Sequence, residues 1–140
     1  IGFAGDGAFG ISMNEMSSCA RKEWPAITMV IFRNYQWGAE KRNSILWFDD
    51  NFVGTELDPE LSYAKVANAC GLKGVTVKTM EETTKVIKKS CEDQKQGIST
   101  FIEVILNQEL GEPFRRDAMK KPVQVVGIKK EDMKPQKSLV

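Results

Sequence analysis

Two short stretches of the chain carry residue types that can bind an anion and a divalent cation. Gly5, Asp6 and Gly7 begin the sequence GDGAFG, and Asn34 follows an apolar run further along the chain. A glycine turn that leads into a helix presents free backbone N–H groups, which bind phosphate. A carboxylate in such a turn repels phosphate unless a divalent cation lies between them. Asp6 therefore indicates a bound cation, and the amide oxygen of Asn34 is a suitable second ligand for Mg²⁺.

The stretch between Asp6 and Asn34 has room for one helix and one returning strand. Residues 1–4 have the composition of a strand end, residues 10–23 have apolar side chains spaced for one helical face, and residues 26–32 are continuously apolar. The carboxyl ends of neighbouring parallel strands lie side by side. We therefore expect Asp6 and Asn34 to converge at one edge of a sheet.

The rest of the chain continues the alternation of strands and helices. Residues 33–55 have no clean period and are interpreted as a long loop. One helix is expected to about residue 69, with Asp58 as its N-cap and Pro59 at its first position, and another from a capping box at residues 79–82 to about residue 96. Strands are expected at residues 75–78 and 99–106. This order predicts an α/β fold with a mainly parallel sheet flanked by helices on both faces.

The predicted organisation is one domain followed by a tail. We assign residues 1–106 to the α/β domain, and residues 107–140, which have weak periodicity, to a tail that packs on this domain or on a neighbouring subunit. The chain begins at Ile1 inside an apolar stretch. We interpret it as a piece of a longer protein, with the amino-terminal domains absent.

Composition excludes several classes of function. The net charge is +1, which argues against a nucleic-acid partner, and no apolar run approaches the eighteen residues of a membrane span. The chain has no histidine, so a Ser-His-Asp triad and histidine-containing zinc sites are excluded. Its three cysteines form no CxxC pair, which is typical of reduced thiols in a cytoplasmic protein.

The glycine-rich turn also has an alternative interpretation. GDGAFG matches the GxGxxG pattern of dinucleotide-binding domains. Those domains have an acidic residue about 20 residues beyond the glycines, whereas here the second strand ends in Arg33 and Asn34. Arg33 would suit the 2′-phosphate of NADP. A non-catalytic NADP-binding module therefore remains an alternative.

The same residues resemble the signature of thiamine diphosphate enzymes of the acetolactate-synthase-like family. In that family a GDG sequence and a downstream Asn hold Mg²⁺ and the diphosphate of the cofactor. The family usually has two consecutive Asn residues, and here Arg33 stands in place of the first. Residues similar to those of the family also occur at Phe9, residues 14–16, Pro25 and Gly38. The resemblance implies the carboxyl-terminal, diphosphate-binding domain of such an enzyme.

The resemblance also implies a set of ligands. Side-chain oxygens of Asp6 and Asn34 and the backbone carbonyl of Gln36 would bind Mg²⁺. The cofactor site as a whole would comprise the following residues: Gly5, Asp6, Gly7, Ala8, Phe9, Asn34, Gln36 and Gly38. No catalytic residue is expected within this chain, because the glutamate that activates the cofactor in this family lies in another domain, contributed by another subunit.

Residues 34–41 and 111–118 narrow the resemblance to one acyltransferase branch of the family. That branch implies a reaction in which sulfoacetaldehyde and phosphate give acetyl phosphate and sulfite. Another acetolactate-synthase-like carboligase or decarboxylase is the first alternative. The resemblance also implies a homodimer or homotetramer of the complete protein, with no activity in the 140 residues alone.

Overall fold

The computed structural model describes residues 1–49, 51 and 53–108. These residues belong to two compact units. The first unit contains Ile1–Gln36 and Asp58–Gln108, and the described part of the second lies within Trp37–Leu57. The predicted tail, residues 107–140, lies outside the described residues from residue 109 onwards.

The first unit is built on a four-stranded parallel sheet. Its strands are β1 (Gly2–Gly5), β2 (Thr28–Arg33), β3 (Lys73–Val77) and β4 (Thr100–Ile105), in the order β1-β2-β4-β3. Each of the three pairings is parallel, as the alternation of elements predicted. The helices are α1 (Asp6–Ile11), α2 (Met16–Cys19), α3 (Gly38–Trp47), α4 (Tyr63–Ala69) and α5 (Met80–Lys95). Of these, α3 belongs to the second unit.

Helices cover both faces of the sheet, and each face has its own apolar core. On one face Phe9, Met16 and Tyr63 from α1, α2 and α4 pack with Ile31 and Phe101 of the strands. On the other face, side chains of α5 pack on the inward residues of three strands: Val30, Val77, Ile102 and Val104. The largely apolar composition of β2 and β4 follows from this burial on both sides.

The first helix begins earlier and ends sooner than predicted. We expected a turn at residues 5–7 and one helix over residues 10–23, but α1 starts at Asp6 and ends at Ile11. A short 3₁₀ segment, Met13–Glu15, and α2 follow it. A carboxylate in the first turn of a helix is stabilised by the helix dipole, which favours a start at Asp6. Glycines lower helix propensity and favour a short first helix.

The start of α4 was also predicted wrongly. We expected Asp58 to cap this helix, but its carboxylate accepts the Glu60 N–H at 2.8 Å in a local turn. The helix begins at Tyr63, and the hydroxyl of Ser62 caps it by accepting the Lys65 N–H. Asp and Ser both favour turns and helix caps, so local sequence did not distinguish the two positions.

The segment interpreted as a loop, residues 33–55, contains a helix. α3 occupies ten of its residues in the second unit. Its side chains do not follow an apolar helical period, which is why periodicity did not reveal it. The Lys41 ammonium forms an ion pair with the Glu56 carboxylate within this unit.

The start of α5 was predicted correctly. Thr79 and Glu82 form both bonds of a capping box, and the helix ends before Gly97, which has a φ of +77°. None of the described helices is long and apolar enough to cross a membrane. The capping box was recognisable because both of its partners lie within four consecutive residues.

Gly74 allows β3 and α4 to approach closely, and its replacement by alanine should destabilise the unit. A Cβ atom at this position would lie 1.9 Å from the carbonyl oxygen of Ala64. Overpacking of this kind costs about 1–3 kcal/mol or more, since backbone must move to relieve it. Thermal unfolding without ligands should show a lower midpoint for Gly74→Ala. Gly5→Ala is the matched control, because no heavy atom lies within 4 Å of a Cβ there. Equal midpoints for the two variants would contradict the prediction.

Candidate functional site

The predicted metal ligands follow the carboxyl ends of two adjacent strands. Gly5 of β1 pairs with Phe32 of β2, so Asp6 and Asn34 lie just beyond neighbouring strand ends. Ligands of open α/β sheets bind outside these carboxyl ends. The convergence of the two strand ends is confirmed, and the role of their side chains as metal ligands remains a prediction.

Asp6 is a buried carboxylate at the first position of α1. The residue is 3% exposed. Oδ1 accepts the Gly7 N–H and Oδ2 accepts the Tyr35 N–H, each at 2.9 Å. Among the described residues, no Lys or Arg forms an ion pair with this carboxylate. Buried charges are normally paired or coordinate a metal. Asp6 therefore fits the role of a cation ligand.

A tight turn after β2 orients Asn34 and Gln36. Tyr35 between them has a φ of +60°, in the left-handed region that few side chains adopt. The Asn34 side-chain oxygen accepts the Gln36 N–H at 3.3 Å. The Gln36 side chain is buried, and its Nε2 donates to the Gln108 carbonyl at 2.7 Å. This anchor holds the backbone whose carbonyl is the predicted third ligand.

The structural role of Tyr35 was not predicted. Its N–H binds Asp6, and its left-handed conformation reverses the chain between the two candidate ligands. Left-handed conformation is common for Gly, Asn and Asp, so a tyrosine gives no signal of it in the sequence. Backbone strain of this kind concentrates at functional sites.

Gly5 leaves the backbone open at the start of α1. Its φ of −73° and ψ of 157° are ordinary for any residue, and a Cβ would meet no atom within 4 Å. Neither conformation nor packing within the described residues therefore requires glycine here. A glycine in such a place lets a ligand approach the backbone closely.

The remaining predicted cofactor residues lie in two places. Gly7 and Ala8 are in the first turn of α1, where N–H groups lack helical partners. The Phe9 side chain packs against Tyr63 and Phe101 in the core, so only its backbone could serve a ligand. Gly38 is the first residue of α3 in the second unit.

Arg33 forms a buried ion pair with Glu103. Its Nη1 lies 2.5 Å from Oε1 of Glu103, and the two side chains are 3% and 1% exposed. Its Nη2 donates to the Asp58 carbonyl at 2.9 Å. The guanidinium is therefore unavailable for a 2′-phosphate, and the NADP alternative loses the residue on which it depended. The partner, Glu103 in β4, was not anticipated, because the two residues are 70 positions apart.

The acidic side chains of the described residues do not cluster. Across the described part of the chain there is no group of three or more His, Cys, Asp or Glu side chains that could hold a metal. Mg²⁺ is usually held by one or two carboxylates with phosphate and water oxygens, so a single aspartate with neutral oxygens suits it. Phosphate oxygens and water would complete such a site.

Comparison with known proteins identifies the class. The family described as "Thiamine pyrophosphate enzyme, C-terminal TPP binding domain" matches residues 1–104. The chain belongs to this family. The NADP-binding alternative is therefore wrong, and the glycine-rich turn is that of a thiamine pyrophosphate-binding domain.

Curated relatives are similar over nearly the whole chain. A probable sulfoacetaldehyde acetyltransferase of Rhizobium meliloti (strain 1021) is 71% identical over 99% of this chain and 24% of its own length. The sulfoacetaldehyde acetyltransferase of Rhodobacter capsulatus is 66% identical over 97% of this chain and 23% of its own length. The chain thus spans about a quarter of the length of these relatives.

Solved structures support the fold. A benzoylformate decarboxylase from Polynucleobacter necessarius superimposes with a TM-score of 0.64 at 24% identity, over 78% of this chain and 20% of that one. A 4-hydroxybenzoylformate decarboxylase of Rhodococcus jostii gives 0.61 at 20% identity, over 79% and 20%. At these identities the likeness concerns the fold alone.

Proposed function

We propose that this chain is the Mg²⁺- and diphosphate-binding part of a sulfoacetaldehyde acetyltransferase. The complete protein would convert sulfoacetaldehyde and phosphate to acetyl phosphate and sulfite. The high identity to curated acetyltransferases over nearly all of the chain supports this choice of substrate. Another acetolactate-synthase-like carboligase or decarboxylase is the alternative.

The observation that carries the binding proposal is the buried carboxylate of Asp6 just after β1, with which no Lys or Arg of the described residues forms an ion pair. A divalent cation would compensate this charge and attract an anionic diphosphate to the same edge of the sheet. Asp6 and Asn34 would supply side-chain oxygens, and Gln36 its backbone carbonyl. The Gln36 anchor to Gln108 favours this last role, because it limits movement of the loop.

The start of α1 would hold the diphosphate. Backbone N–H groups of Gly7, Ala8 and Phe9 would donate to its oxygens, and Gly5 would leave the approach open. Gly38 is kept as a cofactor-binding residue on the family resemblance alone. Thiamine diphosphate, when bound, supplies the carbanion chemistry. The residues of this chain bind and orient it.

The remaining parts of the proposal concern the complete protein. Its activating glutamate would lie outside these 140 residues and come from a second subunit, so a homodimer or homotetramer is proposed. Cys19, Cys70 and Cys91 are free thiols, which supports a cytoplasmic location. The partners would be small molecules, without nucleic acid.

Calorimetry of the complete natural protein that contains this chain tests the binding proposal. Thiamine diphosphate should bind with Mg²⁺ present and fail to bind after EDTA treatment, because the cation links Asp6 to the diphosphate. Gly5→Ala should keep the thermal midpoint and weaken binding by about tenfold, or about 1.4 kcal/mol. Binding that is equally strong in EDTA would contradict the metal site.

Product analysis decides the substrate. The complete enzyme should form acetyl phosphate from sulfoacetaldehyde and phosphate, with release of sulfite. Acetolactate formed from pyruvate, without sulfite release from sulfoacetaldehyde, would support the alternative carboligase. Both assays need the same protein, cofactor and Mg²⁺, so each serves as the control for the other.

A further inference from the structure

A buried ion pair connects β2 to β4 one residue before the candidate metal ligand Asn34. The guanidinium of Arg33 and the carboxylate of Glu103 are almost completely buried. Burying two charges carries a desolvation penalty, and an apolar pair of similar size is often at least as stable. Stability alone therefore does not explain this ion pair. Its position next to the candidate site suggests that it orients residues of that site.

Glu103 is held in one orientation. Its Oε1 also accepts the Tyr63 N–H at 3.1 Å. Its Oε2 accepts the hydroxyls of Ser62 and Thr76 at 2.7 and 3.0 Å. These bonds tie the carboxylate to β3 and to the start of α4, so the guanidinium bound to it is fixed as well.

The guanidinium contacts two tyrosines, one of which binds the side chain of Asp6 and the other its backbone. Its Cζ lies 4.5 Å from the ring centroid of Tyr35 and 5.3 Å from that of Tyr63. Tyr35 donates its N–H to the Asp6 carboxylate, and the Tyr63 hydroxyl donates to the Asp6 carbonyl at 3.0 Å. The position of Asp6 thus depends on two residues that contact Arg33.

The stacked ring also explains how Tyr35 keeps a left-handed backbone. A φ of +60° is unfavourable for tyrosine, and nothing in its own side chain favours it. Packing of its ring on the fixed guanidinium opposes relaxation of the backbone. Without that contact, the Tyr35 N–H would turn away from Asp6, and the turn that orients Asn34 would loosen.

We infer that Arg33 and Glu103 are positioning residues for the metal site: their ion pair holds Tyr35 and Tyr63, which in turn orient Asp6 and the turn at Asn34. The pair therefore sets the affinity for Mg²⁺ without contacting the cation. This inference rests on the proposed function of Asp6 and Asn34.

The test measures Mg²⁺ affinity of the complete natural protein at saturating thiamine diphosphate by calorimetry. Arg33→Lys keeps the charge but lacks the planar guanidinium, which stacks on a ring and donates hydrogen bonds from two nitrogens. We expect the Kd for Mg²⁺ to rise about tenfold, as for other residues that support metal ligands. Tyr35→Ala should raise this Kd by a similar factor. Tyr35→Gly should raise it less, because glycine adopts positive φ freely.

Lys73→Met is the matched control. It breaks the ion pair of Lys73 with Asp93, which joins the amino end of β3 to α5 at the opposite edge of the sheet. This variant should lower the thermal midpoint and leave the Kd for Mg²⁺ unchanged. Arg33→Lys must change the Kd at a temperature at which both variants are folded.

Two results would overturn the inference, and they are distinguishable. The first is an unchanged Kd for Mg²⁺ in Arg33→Lys together with a lowered thermal midpoint, as in the Lys73 control. The ion pair of Arg33 and Glu103 would then stabilise the fold without affecting the metal site. Absence of Mg²⁺-dependent thiamine diphosphate binding in the unmodified protein would overturn the proposed function and the inference with it.

Discussion

Replacing Asp6 by asparagine is expected to weaken Mg²⁺-dependent thiamine diphosphate binding by more than about 100-fold. Substitution of residues that only support metal ligands costs about 10–100-fold in affinity, and loss of the charged ligand itself should exceed this range. Asparagine has the volume of aspartate and keeps one acceptor oxygen for the Gly7 or Tyr35 N–H. The other N–H then faces the amide NH2 group, so the thermal midpoint without cofactor should fall modestly while the fold is kept. Calorimetry of the complete protein measures the binding.

Asp58→Asn is the control for this experiment. Asp58 is exposed in a turn of the same unit, and asparagine can accept the Glu60 N–H equally well. This variant should bind the cofactor as the unmodified protein does. Wild-type affinity in Asp6→Asn would refute the role of the carboxylate as a metal ligand.

Glu103→Gln is expected to destabilise the first unit by about 3–5 kcal/mol, because it leaves the buried Arg33 guanidinium without its counter-charge. Hydrogen exchange of the β2 and β4 amides in the complete protein measures the local loss of stability. Glu92→Gln is the matched control, since its ion pair with Lys89 is exposed and such pairs contribute little. Equal effects of the two variants would contradict the prediction.

The effect of Glu103→Gln should also depend on pH. Burial raises the pKa of Glu103, but hydrogen bonds from Ser62, Arg33, the Tyr63 N–H and Thr76 outweigh it, so the pKa lies below its usual range. A lowered pKa stabilises the folded state above the unfolded-state pKa of about 4.3, and this contribution is lost as the pH falls through the folded value. The difference between wild type and Glu103→Gln should therefore be full near neutral pH and shrink in acid.

Much of the fold was predictable because its signals are local. The apolar strands β2 and β4, the parallel order and the capping box of α5 each depend on residues close in sequence. The start of α4 was not predicted because a residue distant in sequence stabilises it. Glu103 in β4 accepts the N–H of Tyr63, the first residue of this helix. α3 was missed because its side chains show no apolar period.

The residues of the candidate site also form two groups: those that the sequence revealed and those that it did not. Asp6 and Asn34 could be found in the sequence, because glycine turns and strand ends place chemical groups by rules that hold for all parallel sheets. Tyr35, Tyr63 and Glu103 could not, since their roles depend on contacts between residues far apart in the chain.

The sequence by itself determined the parallel α/β fold, the strand ends at which Asp6 and Asn34 lie, and the resemblance that predicted the cofactor. Only the tertiary structure decided what Arg33 does. From sequence it was a candidate for a 2′-phosphate or a substitute for asparagine. In the folded chain it is buried against Glu103, under the two tyrosines that bind Asp6. The physical reason is that a charge enters a protein interior only with a partner, and the partner is chosen by the packing of strands.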